Sequence, residues 1–179
     1  MALPSTLFRF KVNLSDVTRG LYELLEFRVA MHPSEAAPFL ITRVLAYCLN
    51  YRRGIEFTQG IATPDDPAVW IKDETGILLL WIDIGNPSAR RLHKASKAAK
   101  AVQVFTYRDP EILMKEAEGQ EIHKREHIEV FALSPKFLDK VAPHLQRDNQ
   151  WDLLRDEDEL SLTIGENALT TTLQALRLK

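Results

Sequence analysis

Ile77-Leu-Leu-Leu-Trp-Ile-Asp-Ile84 is the stretch that decides the fold: seven of its eight residues are large and apolar, which is how a strand covered on both faces reads. Its one charge, Asp83, stands next to the end of the run, where a buried carboxylate is costly unless something pairs with it or coordinates it. Upstream lies an acidic turn, Pro64-Asp65-Asp66-Pro67, and downstream, past Gly85-Asn86-Pro87, Ser88 is placed to cap a helix. At 100° per residue, Arg90, His93, Lys94, Lys97 and Lys100 share one arc of that helix, and Leu92, Ala95, Ala98 and Ala99 fall opposite. Small residues there let the helix pack closely on a sheet. The following 101–107 reads as a strand parallel to a neighbour, because a helical crossover precedes it.

Working outward, residues 6–14 and 22–30 alternate apolar and polar, which predicts two half-buried strands joined as an antiparallel hairpin. Met31-His-Pro-Ser-Glu35 breaks that alternation, and Ser34 or Glu35 is expected to cap a helix running to about Asn50 on the spacing of Leu40, Ile41, Val44, Leu45, Cys48 and Leu49. Residues 55–60 and 68–71 read as short strands. Beyond 107 the pattern predicts helices from Asp109-Pro110 to about 118 and from Ser134-Pro135 to about 145, and strands at 127–133, 151–155, 160–164 and 169–178. Asp156-Glu157-Asp158 reads as a solvated tip.

With 179 residues and 45% hydrophobic content, one sizeable core is expected: a single domain over 1–179, with a central unit at about 33–108, an N-terminal hairpin at 5–30 and C-terminal strands at 127–179 in a second β layer. The formal net charge of -2 gives no overall electrostatic grip on nucleic acid, so such a partner would need the local basic face Arg90, Lys94 and Lys97. Cys48, the one cysteine, forms no internal disulfide and reads as a small buried hydrophobe. The start from Met1 to Thr6 lacks the pattern of a leader, and no apolar run reaches the roughly 18 residues of a membrane span, so a cytoplasmic protein without a membrane partner is expected.

The order helix, strand, strand, strand, helix, strand over 34–107 resembles the core of the PD-(D/E)xK nuclease-like superfamily. The resemblance implies an α+β fold with an αβββαβ core and a mixed sheet, plus an antiparallel β subassembly from the N- and C-terminal strands. Pro64-Asp65, with Asp83 18 positions later, matches the two sheet-borne acids of that superfamily, and Glu35 matches the helix-borne carboxylate of many members. On this resemblance Glu35, Asp65, Asp66 and Asp83 are expected to hold Mg²⁺ or Mn²⁺, which favours oxygen ligands. Where the motif would read Asp/Glu-x-Lys, the chain reads Asp83-Ile84-Gly85; Lys94 or Arg90 on the following helix would then take over the lysine's role in stabilising the transition state.

Met31-His-Pro-Ser-Glu35, Glu56-Phe-Thr-Gln-Gly60, Asp65-Asp66-Pro67 with Trp70, Trp81-Ile-Asp-Ile-Gly85 with Pro87, Arg90-Arg91 with Lys94-Ala95, and Phe105-Thr-Tyr107 resemble the landmarks of the YaeQ family of small bacterial proteins. That family implies the variant nuclease-like core without supplying a reaction. The leading expectation is therefore metal-dependent cleavage or binding of a phosphodiester, and the alternative is a non-catalytic binding or regulatory module on the same fold. Each candidate also has a structural role open to it. Asp83 could pair with an arginine, Asp65 and Asp66 could simply form the turn, Glu35 could complement a helix dipole, and Lys94 and Arg90 could be a solvated face.

Overall fold

The computed structural model describes residues 3–179; Met1 and Ala2, the head of the stretch read for a leader, lie outside the described residues. Eleven strands and four helices follow in the order β1 (Thr6–Asp16), β2 (Leu21–Met31), α1 (Ala37–Leu49), β3 (Ile55–Phe57), β4 (Val69–Lys72), β5 (Leu78–Ile84), α2 (Ala89–Ala98), β6 (Ala101–Thr106), α3 (Pro110–Ala117), β7 (Ile128–Ala132), α4 (Pro135–Val141), β8 (Asp148–Asp156), β9 (Glu159–Ile164), β10 (Asn167–Thr172) and β11 (Gln174–Arg177). They build two mixed sheets, one ordered β10-β9-β8-β1-β2 and the other β11-β7-β6-β5-β4-β3.

Alternation in β1 sends Phe10, Val12 and Leu14 inward, and β8 answers with Trp151 and Leu153. These side chains meet α1 and α4 and the near face of the six-stranded sheet in one core. Helix α1 is buried nearly all round its circumference, from Leu40 to Leu49, as a helix clamped between two sheets must be. A smaller core on the other face of the six-stranded sheet joins Trp81, Val102, Val104 and Ile128 to Leu92 and Ala95 of α2 and Leu113 of α3.

The strand 77–84 lies inside its sheet, antiparallel to β4 and parallel to β6. It begins at Leu78, because the Asp73 carboxylate holds the backbone N–H of Ile77 in a turn and leaves that side chain exposed. The parallel β5-α2-β6 crossover agrees with the sequence pattern, and β6 is parallel to β7 as well. Ser88 caps α2 by accepting from the Arg91 N–H, and Leu92, Ala95 and Ala99 pack inward, whereas Ala98 is exposed.

Three expectations about the β layers need correction. The five-stranded layer does combine N- and C-terminal strands, but it is mixed, since β1 and β8 run parallel along Arg9 to Asp16. Strands β7 and β11 extend the central sheet and do not join the other layer. The stretch 169–178 is two strands in different sheets, because the buried Leu173 turns the chain from one to the other, its N–H held by the Asp158 carbonyl at 2.6 Å.

Charged groups also settle how elements end. Asp16, fully buried at the end of β1, accepts from Arg19 Nε at 2.7 Å, and Arg19 in turn donates to the Tyr51 and Cys48 carbonyls at the end of α1. Cys48 is buried, and burial pushes its thiol well above the ordinary range, which leaves it the packing role expected of it. Among the described residues, no helix is long and apolar enough to cross a membrane.

Leu173 is the hinge on which the two sheets share the last part of the chain. Leu173→Ala is expected to lower the unfolding free energy by about 2–4 kcal/mol through reduced burial and a residual cavity, read as a fall in the denaturant midpoint with an unchanged slope.

Candidate functional site

The C-terminal ends of β5 and β6 open on a cleft of about 430 Å³ lined by Gly60, Pro64, Asp66, Asp83, Arg91 and Arg108, among others. Carboxyl ends of parallel strands are where sheets of this kind present groups to a ligand. Asp83, 3% exposed, is the acid that the sequence singled out. It is paired with Arg91, eight residues on: Nε donates to Oδ2 at 2.7 Å and Nη2 to Oδ1 at 2.8 Å. Fork-on-fork geometry of this kind is among the stronger ionic contacts available to a protein.

Arg91 does more than neutralise Asp83. Its Nη1 donates to the Pro64 carbonyl and its Nη2 to the Asp66 carbonyl at 2.7 Å, so the acidic turn is tied to the strand end through one guanidinium. The hydrogen bonds from Arg91 to Asp83 hold the guanidinium charged, above its ordinary range. Trp81 supplies the wall beneath, with its ring centroid 5.7 Å from the guanidinium carbon.

Glu35 lies two residues before α1 and makes no helix cap. Its Oε1 accepts from Arg43 Nη1 at 2.9 Å inside the protein, where Arg43 is 1% exposed. Arg43 also donates to the Ala30 carbonyl and lies over the Phe57 ring. The carboxyl oxygen Oε2 and the guanidinium Nε find no partner. Burial pushes the Glu35 carboxyl up, against the opposing pull of Arg43. Gly60, at the cleft, has a physical reason to be glycine: a Cβ there would stand 2.8 Å from Arg43 Nη1 and 3.2 Å from Glu35 Oε1.

The remaining candidates sit farther out. Lys94 Nζ donates to Asp65 Oδ1 at 2.6 Å, with the Asp65 side chain 92% exposed, and that pairing holds the Asp65 carboxyl below its usual range. Arg90 and Lys97 are exposed on the outer face of α2. The structure therefore brings Asp66 and Asp83 to one cleft with Glu35 behind Gly60, and leaves Asp65, Lys94, Arg90 and Lys97 on the surface. Among the described residues, no three His, Cys, Asp or Glu side chains are placed to hold a metal ion.

Gly85 adopts φ +92°, a left-handed conformation with no atom within 4 Å of where a Cβ would lie. Backbone geometry, rather than crowding, favours glycine at position 85.

Sequence reasoning missed Arg43 and Arg91 as the partners of the two buried acids. A signal for the first was present: an arginine inside the apolar run of α1 has to find a counter-charge if it is buried. Arg91 differs from its neighbour Arg90 only in helical phase, which turns it toward the sheet end.

A family model described as "YaeQ protein" matches residues 1–173. The chain belongs to the YaeQ family. The "Uncharacterized protein YaeQ" of Escherichia coli (strain K12) is 34% identical over 107 residues, 60% of this chain and 59% of that protein, so the match spans less than two thirds of the relative; the Salmonella typhi protein is 33% identical over the same length. Crystal structures of YaeQ proteins from Pseudomonas syringae and Xanthomonas axonopodis pv. citri superpose with TM-scores of 0.89 at 27% identity, covering 99% and 98% of this chain and 99% of each of those chains. The two-sheet α+β architecture is thus one that YaeQ structures share.

The buried pair yields a test by double-mutant cycle. Arg43→Met alone is expected to cost about 3–5 kcal/mol at neutral pH, because it strands a buried carboxylate, and Arg43→Met with Glu35→Gln to cost much less. The single variant should regain stability on acidification. A carboxyl whose folded pKa lies above its unfolded value, about 4.3, stabilises below that value and loses the contribution as pH rises through the folded pKa. Denaturation midpoints of both variants and the parent protein across pH 4 to 8 would check both statements.

Proposed function

We infer that this chain is a binding or regulatory module that keeps a nuclease-like αβββαβ core of the PD-(D/E)xK kind without turning over a phosphodiester, and that Arg90, Lys94 and Lys97 meet the backbone of a nucleic acid. The observation that carries this reading is that Asp83 gives both oxygens to Arg91, while Glu35 gives one of its two to Arg43. Mg²⁺ and Mn²⁺ favour open carboxylate oxygens. Asp83, as arranged, does not fit a resident divalent ion, since both of its oxygens accept from Arg91.

The basic face supports the binding half of the reading. Arg90, Lys94 and Lys97 are solvent-facing on α2, and Lys94 with Asp65 is a surface pair of the kind that contributes little and exchanges readily for a phosphate. A second reading rests on its own observation: Asp66 and Asp83 line one cleft with Gly60, against which Glu35 lies. It is metal-dependent cleavage of a phosphodiester, with Glu35, Asp65, Asp66 and Asp83 toward the ion and Lys94 and Arg90 toward the phosphate. It would require Asp83 to leave Arg91.

Fluorescence anisotropy with short DNA and RNA oligonucleotides, single- and double-stranded, separates the two when run beside a turnover assay. Binding is expected to weaken in Arg90→Ala and Lys97→Ala, and each substitution that removes a cation from a phosphate should reduce the slope of log affinity against log salt by about 1. Cleavage by purified protein in Mg²⁺ or Mn²⁺ that disappears in a folded Asp83→Asn variant would overturn the non-catalytic reading. Affinity unmoved by either basic-face substitution would overturn the partner.

A further inference from the structure

Strand β2 closes the five-stranded layer with a free edge. It pairs with β1 along all 11 of its residues, from Leu21 to Met31, and no strand lies on its other side. Neither a proline nor a bulge interrupts it. Among the described residues, its backbone bonds no other backbone group, and the one side chain that reaches it is Arg43, at 3.3 Å from the Ala30 carbonyl. A long, regular edge of this kind is a template for another strand.

The side chains along the edge are left incomplete on both faces. Arg28 stands directly opposite Arg9 of β1, an unfavourable placing for like charges. Arg9 is compensated by the Asp148 carboxylate at 2.6 and 2.9 Å, whereas Arg28 has no ion pair among the described residues. Two positions earlier on the same face, Glu26 is held only by Lys11, at 3.5 Å, with its side chain 67% exposed. Leu24 and Leu7, on that face too, are 55% and 48% exposed. On the core face, Phe27 continues the rings of Phe10 and Phe57 but is itself only half-buried.

We propose that β2 pairs antiparallel with β2 of a second copy of this chain about a two-fold axis at Phe27, so that the two five-stranded layers become one sheet of ten strands. Closed two-fold symmetry is the commonest form of self-association, and it asks one surface to complement itself. Side chains paired across an antiparallel ladder lie on one face, which confines the axis to a residue rather than a gap between residues. Of the axes from Leu25 to Val29, only that at Phe27 sets Glu26 of each copy against Arg28 of the partner subunit; axes at Glu26 or Arg28 bring like charges together. The unmet cation and the loosely held anion then satisfy each other twice. On the core face, Leu25 meets Val29 of the partner subunit, and the two Phe27 rings cover one another. On the outer face, Leu24 falls beside Ala30 of the partner subunit, which is small enough to let it lean on Leu7 of the partner subunit in the same row. The edge lies in the layer away from α2, so pairing leaves the basic face of that helix open.

Sedimentation equilibrium of the full chain from about 1 μM to about 1 mM tests this, with hydrogen exchange read at both ends of the range. A monomer–dimer equilibrium is expected, with amides of residues 23–31 protected as the dimer forms. Arg28→Glu and Glu26→Arg, both at exposed residues, should each weaken the dimer about tenfold without moving the melting temperature. An equal mixture of the two variants should associate as tightly as the parent protein, because every pair across the axis again has one charge of each sign. A chain that stays monomeric throughout, as it would if the edge served a strand of a different protein, would overturn the proposal. So would a dimer that leaves the β2 amides unprotected, that is indifferent to Arg28→Glu, or that the mixture fails to restore.

Discussion

The Asp83–Arg91 pair is the interaction on which the arrangement of the cleft depends, because it resolves a conflict set by the neighbouring sequence. Apolar residues on both faces of β5 place the strand inside the protein, and the carboxylate next to its end goes in with it. An isolated charge at that depth would be far too costly, and the first turn of α2 supplies a guanidinium that is in phase with it. Once Arg91 is turned inward, its remaining N–H groups fix the carbonyls of Pro64 and Asp66. The turn, the strand end and the helix start then behave as one unit, with the exposed residues of α2 facing outward as a consequence.

Glu35 and Arg43 solve the same problem on the other side of the cleft with less polar satisfaction. One oxygen and one nitrogen of that pair have no partner, and both residues are almost fully enclosed. Buried pairs of this kind are weak contributors to stability and strong determinants of which residues fit beside them. Gly60 is the clearest case, since the pair leaves no room there for a side chain. The pair also explains why α1 begins where it does: Glu35 is drawn into the core and the first helical residue follows at Ala37 without a side-chain cap.

Much of the fold was legible from periodicity. The double-faced strand, the small-residue side of α2 and the alternating hairpin each carry a pattern with one good solution, and the αβββαβ order over 34–107 followed from them. What periodicity does not carry is which sheet a strand joins: β10 and β11 read as one run because both alternate, and only the burial of Leu173 divides them. The candidate site was legible as a set of charges but not as a set of pairs. Asp83 and Glu35 stand out in the sequence because they are acids in apolar company. Their partners lie eight residues on, each in a helix, where several arginines and lysines compete and helical phase decides. Gly85 was readable as the glycine that closes the strand, and its positive φ supplies the backbone reason that a sequence alone withholds.

The cleft and the interior between the sheets differ in how far their polar groups are paired. At the cleft, Asp83 is fully paired with Arg91, so a ligand that sought that carboxylate would have to compete with an internal ion pair. Between the sheets, Gln103 donates to Glu129 while its own amide oxygen is enclosed without a partner.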